Sequence, residues 1–514
     1  GFDAVVGNPP YVTTLSRQER EYFFQRSQTR GRELDTFYLF SEWGINLMRF
    51  GGAISLIVPN VFLLQYESED FRRFLLQYKI LSLADLGFTV FGESVVPSAI
   101  FVVRKGEAKD SLVRIYEGGD IGTASKEIPQ ILFTSFLYSQ FNIYLSQQTM
   151  QLLSRVRALS ITLSKVAESH EGVHSGNIRS KLFNRHGRLP SSKRMLKGSD
   201  IERYSFDWGG WFVNYDPNLI EGDKGEYASL REQRIFIKNK ILTRQTADRV
   251  IATYDDCGYY TDNTLHSTQI LPGSFLSWCY LLSLLNSTLL TFVYQQETQE
   301  YGRTLPQVKI VFLQRLPIRR INFTTPEKER NQLLKQGKEL YQEYLHSQDW
   351  SKVLAFVAQH LPQKADGTLD MEHEQSDVTH DLLAFLAEEM TRLNKDRQVK
   401  IKGFLNWLEK EILKGSVEDQ KNKTKIKDFH EDTFDSLLDV LKNNKVVPDP
   451  CPSNVRDTIA NEFSAAVNAL TPLKARIKAT DDLIDQIVYR LYGLTDAEIA
   501  IVAGQQSHDT AAQN

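Results

Sequence analysis

The sequence predicts an α/β fold class: a partial doubly wound sheet, then an α+β region, then a largely helical C-terminal region. Over the first 105 residues, short apolar runs alternate with segments of helical spacing, which is the pattern of a doubly wound sheet. Residues 161–322 are rich in short β-like runs and Gly turns, and charged helical spacing follows. About four strands are predicted, where such sheets carry about six. We therefore expect the N-terminal half of this sheet to lie outside the chain.

The predicted elements of the sheet follow one another in order. The apolar run Phe2–Gly7 ends in Gly and is typical of a buried strand. Asp35–Phe50 has apolar residues at helical spacing and stops at two glycines, and Ala53–Val58 is again a buried strand. The next predicted elements are a helix and two strands, at Phe71–Leu81, Leu83–Leu86 and Ala99–Val103.

Shifts in composition predict five segments. In the helical region, Thr325 is a predicted cap ahead of Pro326, and Thr480 is a predicted cap for Leu483–Tyr492. Thr495–Glu498 has the residues of a capping box. The five segments are a sheet domain at 1–110, a connector at 111–160 with a helix at Tyr144–Leu159, an α+β domain at 161–325, a helical region at 326–502 and a disordered tail at 503–514.

Composition excludes several classes of protein. The 514 residues are 41% hydrophobic and 24% charged, which excludes a mainly disordered or fibrous chain. The net charge of −3 means that any nucleic-acid contact must rest on a local basic patch. Three cysteines without a CxxC pair exclude a disulfide scaffold and a thiolate zinc site, and they fit a reducing cytoplasm. Phe275–Tyr294 is uncharged, but six of its 20 residues are Ser, Thr or Asn, so we expect a buried helix and no membrane contact.

The tetrapeptide Asn8-Pro9-Pro10-Tyr11 directly follows the first predicted strand. Open α/β sheets bind ligands in loops at the carboxyl ends of their strands. Two adjacent prolines fix the backbone and remove two N–H donors, so carbonyl acceptors remain. The Asn8 side-chain oxygen and the Pro9 carbonyl are candidate acceptors for an exocyclic amine, and Tyr11 offers a flat face for a ring. A proline-rich strand-to-helix turn with an Asn cap is the structural alternative.

This loop suits methyl transfer to an amine. An adenine N6 amine is a poor nucleophile because its lone pair is delocalised into the ring. Two acceptors draw the amine toward a pyramidal geometry and expose the lone pair to an electrophilic methyl group. A base within a duplex does not reach such a loop, so it must be flipped out.

The motifs taken together resemble a known family. The run from Asp3 to Tyr11 resembles motif IV of the amino-methyltransferases of adenine type. The order of the later motifs resembles the DNA adenine-N6 methyltransferases of Eco57I type, the kind found in type IIG restriction–modification enzymes. The segments similar to the rest of the catalytic sheet are Leu34–Phe40, Gly51–Asn60, Leu83–Gly87 and Ser98–Lys105. Those similar to a TaqI-type target-recognition domain are Gly172–Asn177, Leu196–Ile201, Lys240–Arg244, Leu284–Ser287 and Leu316–Ile318.

The resemblance implies a Rossmann-like methyltransferase sheet, S-adenosylmethionine as methyl donor, double-stranded DNA as substrate and no metal for methyl transfer. It implies catalytic roles for Asn8, Pro9, Pro10 and Tyr11. The family's Gly-rich cofactor loop and acidic ribose ligand lie upstream of this motif, but seven residues precede Asn8. We therefore expect the main cofactor site in a missing N-terminal half, supplied in cis or in trans, and an inactive chain without it. Asp3 is a further candidate cofactor contact, with a strand-end cap as the alternative.

Basic residues concentrate in the α+β region. Residues 171–250 carry 15 Lys and Arg against 10 Asp and Glu. Such a patch is typical of phosphate contacts along a duplex, and a solvated charged loop is the alternative. Trp208, Trp211 and Phe212 are candidates for stacking, although core packing is favoured. The candidate DNA-binding residues are Asn177, Arg179, Lys181, Arg185, Arg188, Lys193, Arg194, Lys197, Lys240 and Arg244.

Two other functions stay open. A similar Asn-Pro-Pro-Tyr loop occurs in methyltransferases that act on a glutamine side chain, but the roughly 400 residues after the sheet argue against a small enzyme of that kind. A DNA-binding specificity or assembly subunit without activity of its own is the other alternative. The pairs His170 with His174 and His373 with His380 have no third ligand at metal spacing, so no metal site is predicted.

Overall fold

The computed structural model describes residues 1–11, 15–29, 35–87, 96–108, 110–118, 121–298 and 306–504. The chain divides into two compact units. The first comprises Gly1–Ser160 and Val293–Gln299, and the second comprises Ile161–Phe292 and Glu300–Asn514. The predicted disordered tail, apart from Ala503 and Gly504, lies outside the described residues.

A six-stranded mixed sheet forms the centre of the first unit, in the order β1-β2-β4-β3-β5-β6. β1 runs parallel to β2, and β4 lies antiparallel between β2 and β3. The carboxyl ends of β1, β2 and β3 therefore meet at one edge of the sheet, which is where such sheets bind ligands. The strands are β1 Phe2–Gly7, β2 Met48–Pro59, β3 Lys79–Gly87, β4 Ser98–Arg104, β5 Leu112–Tyr116 and β6 Lys126–Pro129.

Helices cover the sheet and close an aromatic core. Phe62 and Phe71 each pack edge-on against Phe101 of β4, with ring centroids 5.9 Å apart. Phe37 also meets Phe71 edge-on at 5.9 Å, so the first long helix is fixed to the sheet by ring contacts. The helices are α1 Arg17–Arg26, α2 Thr36–Leu47, α3 Glu69–Leu75, α4 Leu132–Ser135 and α5 Gln147–Ala158.

The α/β class and the four predicted strands are confirmed, with two differences. The helix predicted to Leu81 ends at Leu75, and β3 already begins at Lys79 with Ile80 buried. The segment predicted as a helical connector also adds β5 and β6 to the sheet. In β5, buried Val113 and Ile115 alternate with exposed Leu112 and Arg114, which is the period of a strand.

The second unit begins with two four-stranded sheets. One has the order β15-β14-β17-β8 and is antiparallel throughout, and the other has the order β16-β10-β13-β9. Leu196, Leu242 and Leu265, one from each of three strands of these sheets, share a buried cluster. The strands are β7 Ser160–Thr162, β8 Ala167–Glu171, β9 Phe183–Asn184, β10 Ser192–Leu196, β11 Ile201–Glu202, β12 Ser205–Phe206, β13 Trp211–Asn214, β14 Lys240–Arg244, β15 Ala252–Asp255, β16 Tyr260–Thr261, β17 Leu265–Ile270 and β18 Pro317–Arg319.

Helices dominate the remainder of this unit. The longest, α16, packs along α13, and α13 also packs on α8. Arg203 reaches Asp481 of α16 with its guanidinium 2.7 Å from the carboxylate, so the helical region is tied to the sheets. The helices, of which α9 passes from this unit into the first at Val293, are α6 Arg179–Leu182, α7 Arg234–Ile237, α8 Trp278–Leu285, α9 Thr288–Thr298, α10 Ile310–Leu313, α11 Glu327–Ser347, α12 Ser351–His360, α13 Ser376–Trp407, α14 Lys423–Lys427, α15 Phe434–Asn443, α16 Ser453–Leu491 and α17 Asp496–Val502.

Several predicted helix boundaries need correction. Thr480 caps no helix: it lies inside α16, where its hydroxyl donates to the Arg476 carbonyl at 2.8 Å. Thr325 bonds Asp377 through both its N–H and its hydroxyl, and α11 begins after Pro326. The capping box at Thr495 is confirmed.

The uncharged segment Phe275–Tyr294 forms two helices instead of one. α8 and α9 are separated at Asn286, whose side chain donates to and accepts from the Ala252 backbone at 3.0 and 2.9 Å. These two bonds satisfy the N–H and carbonyl of Ala252 and the buried amide of Asn286 at the same time. Among the described residues, no helix is long and apolar enough to cross a membrane.

Candidate functional site

The Asn-Pro-Pro-Tyr loop leaves the carboxyl end of β1. Asn8 is exposed, whereas Pro9 is buried. Thr36, the first residue of α2, donates its hydroxyl to the Pro10 carbonyl at 2.6 Å and so fixes the loop to the helix. Within the described chain, no hydrogen bond engages the Asn8 side chain or the Pro9 carbonyl. The Asn8 side chain is therefore exposed, and neither of the two predicted acceptors is engaged by a hydrogen bond of the described chain.

Tyr11 follows the two acceptors and is half-buried. Burial raises the pKa of its phenol above the ordinary value, and the Ser98 hydroxyl acts in the opposite direction. Ser98 is the first residue of β4. The Tyr11 ring is therefore neutral at physiological pH and rests against the sheet.

Three polar side chains that sequence reasoning missed gather at the same edge of the sheet. Asn60 follows β2, and its amide donates to Asp85 Oδ1 at 3.1 Å. Asp85 lies at the end of β3, and its Oδ2 accepts from the Tyr144 hydroxyl at 2.8 Å. Burial, and then the bond to Asp85, raises the pKa of Tyr144. A search for polar residues at the carboxyl end of every predicted strand would have found Asn60 and Asp85, but Tyr144 comes from the connector.

Asp3 does not join this edge. Its carboxylate accepts from Arg49 Nε at 2.7 Å, and both side chains are exposed. Asp3 and Asn8 are five residues apart on an extended strand, which separates them by about 16 Å. Asp3 thus pairs with Arg49 at the start of strand β1, away from the loop, and its role as a cofactor contact stays a prediction.

A buried carboxylate orders the segment that precedes α2. Glu42 of α2 accepts from four donors: the Ser27 hydroxyl at 2.5 Å, the Gln28 N–H at 3.0 Å, and the Thr29 N–H and hydroxyl at 3.2 and 3.0 Å. Because an unpaired buried carboxylate is costly, these bonds hold Glu42 and Ser27–Thr29 together. The helix that positions Thr36 is thereby also anchored to the end of α1.

In the second unit, predicted DNA-binding residues collect around two aromatic rings. Lys197 Nζ lies 2.9 Å from the centroid of the Trp211 ring, and the Arg185 guanidinium lies over the same ring at 4.6 Å. Arg179 lies over Phe183 at 5.3 Å. We call these three cations and two rings the Trp211 cluster. Such contacts hold cations in place without neutralising them, so the cluster remains positively charged.

A cavity of about 290 Å³ adjoins the Trp211 cluster. Arg179 and Lys197 line it together with Arg244, Asp262 and Thr264. Burial lowers the pKa of the Lys197 ammonium to about 8, with Asp262 opposing and Arg179 adding to the shift. Burial raises the pKa of the Asp262 carboxyl, which Thr264 and Lys197 partly offset. Three of the predicted cations thus meet at one concave surface.

Other predicted DNA contacts are engaged within the protein. Lys240 is 0% exposed and pairs with Asp255, its Nζ 2.6 Å from Oδ2, so it presents no charge to a duplex and its prediction is wrong. Lys181 pairs with two glutamates, at 2.7 and 2.6 Å. The Asn177 side chain bonds Gly225 and Tyr227 and closes a loop. Arg188, Lys193 and Arg194 are exposed, and Arg194 lies 5.0 Å from the Trp208 ring.

One group among the described residues has the composition of a metal site: Asp255, Asp256 and Cys257. Asp255, however, already binds Lys240 and accepts from the Cys257 and Tyr259 N–H groups at 2.8 and 3.0 Å. Asp255 is therefore already bound by three donors of the protein, and we assign no metal there.

Comparison with known families agrees with this arrangement. Residues 1–91 match the Eco57I restriction-modification methylase family, and residues 193–318 match the TaqI-like C-terminal specificity domain. Residues 360–488, most of the helical region, match a domain of unknown function (DUF8810). Residues 1–91 are therefore similar to restriction-modification methylases and residues 193–318 to TaqI-like specificity domains, and the resemblance drawn from the motifs is confirmed.

Two curated proteins are similar to parts of the chain. A putative type II restriction enzyme and methyltransferase of Methanocaldococcus jannaschii is 24% identical over an alignment of 335 residues, which covers 60% of this chain and 27% of that protein. The type II restriction enzyme and methyltransferase Eco57I of Escherichia coli is 30% identical over 86 residues, which are 16% of this chain and 9% of that protein. The chain thus spans about a quarter of the length of the first relative and less of the second.

Two solved structures also match. The type IIL restriction-modification enzyme MmeI in complex with DNA is 11% identical, with a TM-score of 0.39, covering 74% of this chain and 53% of that one. The type IIG restriction endonuclease BpuSI is 14% identical, with a TM-score of 0.29, covering 75% of this chain and 54% of that one.

Proposed function

We propose that the chain transfers a methyl group from S-adenosylmethionine to the N6 amine of an adenine flipped out of duplex DNA, at a specific site, within a type IIG-like restriction–modification system. The observation that carries the proposal is the Asn8-Pro9-Pro10-Tyr11 loop, which lies at the ligand-binding edge of the sheet inside the segment that matches the Eco57I methylases. Its acceptors are exposed or unengaged, as recognition of an amine requires.

In this proposal, the loop holds the target base. The Asn8 side-chain oxygen and the Pro9 carbonyl each accept one N6 hydrogen, and Thr36 keeps the backbone of the loop in place through Pro10. Tyr11 stacks on the adenine ring, where its neutral phenol adds no charge. A base reaches these groups only outside the helix, so the DNA must release one nucleotide.

S-adenosylmethionine supplies the electrophilic methyl group when bound. The described residues at the ligand edge fit a polar cofactor in part, since Asn60 and Asp85 provide an amide and a carboxylate there. The Gly-rich turn that the family uses is not among these residues. We therefore propose that most of the cofactor site comes from a preceding segment, in cis or in trans.

The edge of the sheet is suited to receive such a segment. β1 is the outermost strand, and within the described chain no other strand pairs with its outer side. Phe2 is 61% exposed and Val6 is 82% exposed, although both lie on a strand of an otherwise buried sheet. An exposed apolar edge strand is a template for pairing with a further strand. A strand of the proposed preceding segment would cover it.

We also propose that double-stranded DNA is bound by the second unit. The Trp211 cluster presents cations to the phosphate backbone, and the segment at 193–318 matches a specificity domain. The alternative function, a specificity subunit without catalysis, uses the same surface but assigns no role to the loop at Asn8.

The experiment is transfer of labelled methyl from S-adenosylmethionine to DNA of mixed sequence. The chain is assayed alone and then with its upstream reading frame fused or co-expressed. We expect label only with the upstream segment, and Asn8→Ala is expected to abolish it. Asn46→Ala, an exposed asparagine of α2 away from the loop, is the matched control and should retain activity.

Other results separate the alternatives. DNA binding without label in either preparation would favour the specificity subunit. Label on protein glutamine instead of DNA would favour the other alternative. Label with the chain alone would contradict the proposed source of the cofactor site.

A further inference from the structure

Asp262 is a buried carboxylate, one oxygen of which has no hydrogen-bond partner among the described residues. It lies between β16 and β17 and is 1% exposed. Its Oδ1 accepts from the Thr264 N–H at 3.0 Å and from the Thr264 hydroxyl. Its Oδ2 has no hydrogen-bond partner in the part of the chain that the structure describes. A buried polar atom without a partner is costly, and in a native protein it calls for an explanation.

The nearest cations do not supply that partner. Lys197 places its ammonium over the Trp211 ring, and no ion pair within the described residues joins it to Asp262. Arg179 lies over Phe183. A hydrogen-bond donor on a bound ligand would supply the partner that Asp262 Oδ2 lacks.

The surroundings of Asp262 are preorganised. Thr264, which holds Oδ1, also accepts from the Gly198 N–H at 2.7 Å through its hydroxyl. Lys197, next to Gly198, donates its own N–H to Asp200 at 2.9 Å. A Cβ at Gly198 would lie 3.2 Å from Thr264, so the two backbones approach closely. The position of the Asp262 carboxylate is therefore fixed by Thr264, which the backbone at Gly198 holds in place.

Arg244 lines the same cavity from the end of β14. Its backbone N–H pairs with Ile251, and no hydrogen bond or ion pair of the described chain engages its guanidinium. The cavity thus combines the N–H donors of the Arg244 guanidinium with one unengaged acceptor, Asp262 Oδ2. A phosphate offers only acceptors and would meet the negative charge of Asp262, so the carboxylate argues against a pure phosphate site.

A guanine·cytosine pair fits this combination. In the major groove, guanine presents the acceptors N7 and O6, and cytosine presents the donor N4 amine. Arginine binds the guanine edge in a bidentate manner, and aspartate accepts from cytosine. Resting on the proposed function, we propose that Arg244 and Asp262 together read one guanine·cytosine pair of the target site, with Asp262 Oδ2 accepting from the cytosine amine.

The test begins with a binding selection from randomised duplexes, using the whole 514-residue chain. We expect a consensus site that includes a guanine·cytosine pair favoured by about tenfold or more over adenine·thymine. Asp262→Asn and Arg244→Ala should each relax selection at that one pair and leave the other positions unchanged. Asp223→Asn, an exposed aspartate outside the cavity, is the matched control and should select the wild-type site.

Modified DNA keeps the test independent of folding. The wild-type chain is titrated with a site that carries N4-methylcytosine, which removes the major-groove donor, or 7-deazaguanine, which removes N7. Each change at the assigned pair should weaken binding by about tenfold. Unchanged binding to both sites would overturn the assignment.

Three further outcomes would also overturn it. Equal weakening for all sequences, with a shallower salt dependence, would make the two residues phosphate contacts. Relaxation at two different pairs would separate Arg244 from Asp262. A selection that yields no consensus would remove site-specific binding itself, and with it the proposed function, whereas a consensus insensitive to Asp262 would remove only this assignment.

Discussion

Lys240 and Arg244 stand at the two ends of one strand, and the structure gives them opposite roles. Lys240 is fully buried, donating to Asp255 and to the Phe236 carbonyl, and burial lowers its pKa. Arg244 reaches the cavity beside Asp262. Replacing each by methionine therefore separates a structural cation from a DNA-binding one.

The magnitudes follow from the partners that each change leaves behind. Lys240→Met strands a buried carboxylate, a change that costs about 3–5 kcal/mol when one partner of a buried pair is lost. Asp255 keeps the Cys257 and Tyr259 N–H groups, so we expect the lower value, about 3 kcal/mol. In a unit of this size the melting temperature moves by about 1–2 °C per kcal/mol, so it should fall by about 3–6 °C. Arg244→Met leaves no buried partner and should change stability by less than about 0.5 kcal/mol.

The assay pairs thermal unfolding, followed by circular dichroism, with DNA binding well below both transitions. We expect Lys240→Met to melt earlier and to bind DNA normally, and Arg244→Met to melt normally and to bind more weakly by about tenfold. Adding Asp255→Asn to Lys240→Met should recover part of the lost stability, because the uncompensated charge is gone. A Lys240→Met chain with normal melting and weakened DNA binding would refute the buried pair and restore Lys240 as a contact.

Three further predictions concern titrating or buried groups. Since the pKa of Lys197 is about 8, its positive charge is lost as the pH rises from 7 to 9. DNA affinity, measured by fluorescence anisotropy, should therefore fall over that range. An equal fall in the Lys197→Arg variant would contradict this cause. Burial raises the pKa of Asp485 to about 6, so the folded state binds the proton more tightly than the unfolded state does. The stability that this group contributes therefore falls as the pH rises from 4 to 6. The melting temperature of the wild type relative to Asp485→Asn should fall over the same range, and a constant difference would contradict this prediction. Glu42→Gln removes a carboxylate that four donors share and should cost about 1–3 kcal/mol, with faster hydrogen exchange at Ser27–Thr29, whereas unchanged exchange there would show that Glu42 does not hold the segment.

The sequence was most informative where the chemistry is contiguous. Asn8 to Tyr11 form one motif directly after a strand, so neither long-range contact nor burial had to be inferred. Asn60, Asp85 and Tyr144 were missed because each is isolated in the sequence. They meet only because β1, β2 and β3 end at one edge and the connector returns to it.

The charged residues of the second unit show a different limit. Lys240 and Arg244 are both basic residues of one apolar strand, and nothing local distinguishes them. The difference comes from Asp255 on the neighbouring strand, which encloses Lys240. Asp262 was overlooked for the converse reason, because a single acidic residue in a basic region carries no motif.

Long helices also exceeded what local signals indicate. Thr480 is a residue type that often caps helices, but α16 continues through it, and its hydroxyl donates to the Arg476 carbonyl inside the helix. Tertiary contacts support the continuation, for the Tyr341 hydroxyl bonds Thr480 at 2.8 Å. Packing against neighbouring helices thus overrides the local preference of threonine.

Nucleoside mass spectrometry of DNA that has been methylated by the chain together with its upstream segment identifies the base that receives the methyl group. We expect N6-methyladenine, confined to one sequence context, and its loss in Asn8→Ala. N4-methylcytosine in place of N6-methyladenine would contradict the assignment of the adenine amine to the Asn8 loop. Methylated DNA from the Asn8→Ala enzyme at the wild-type level would contradict the role of the loop itself.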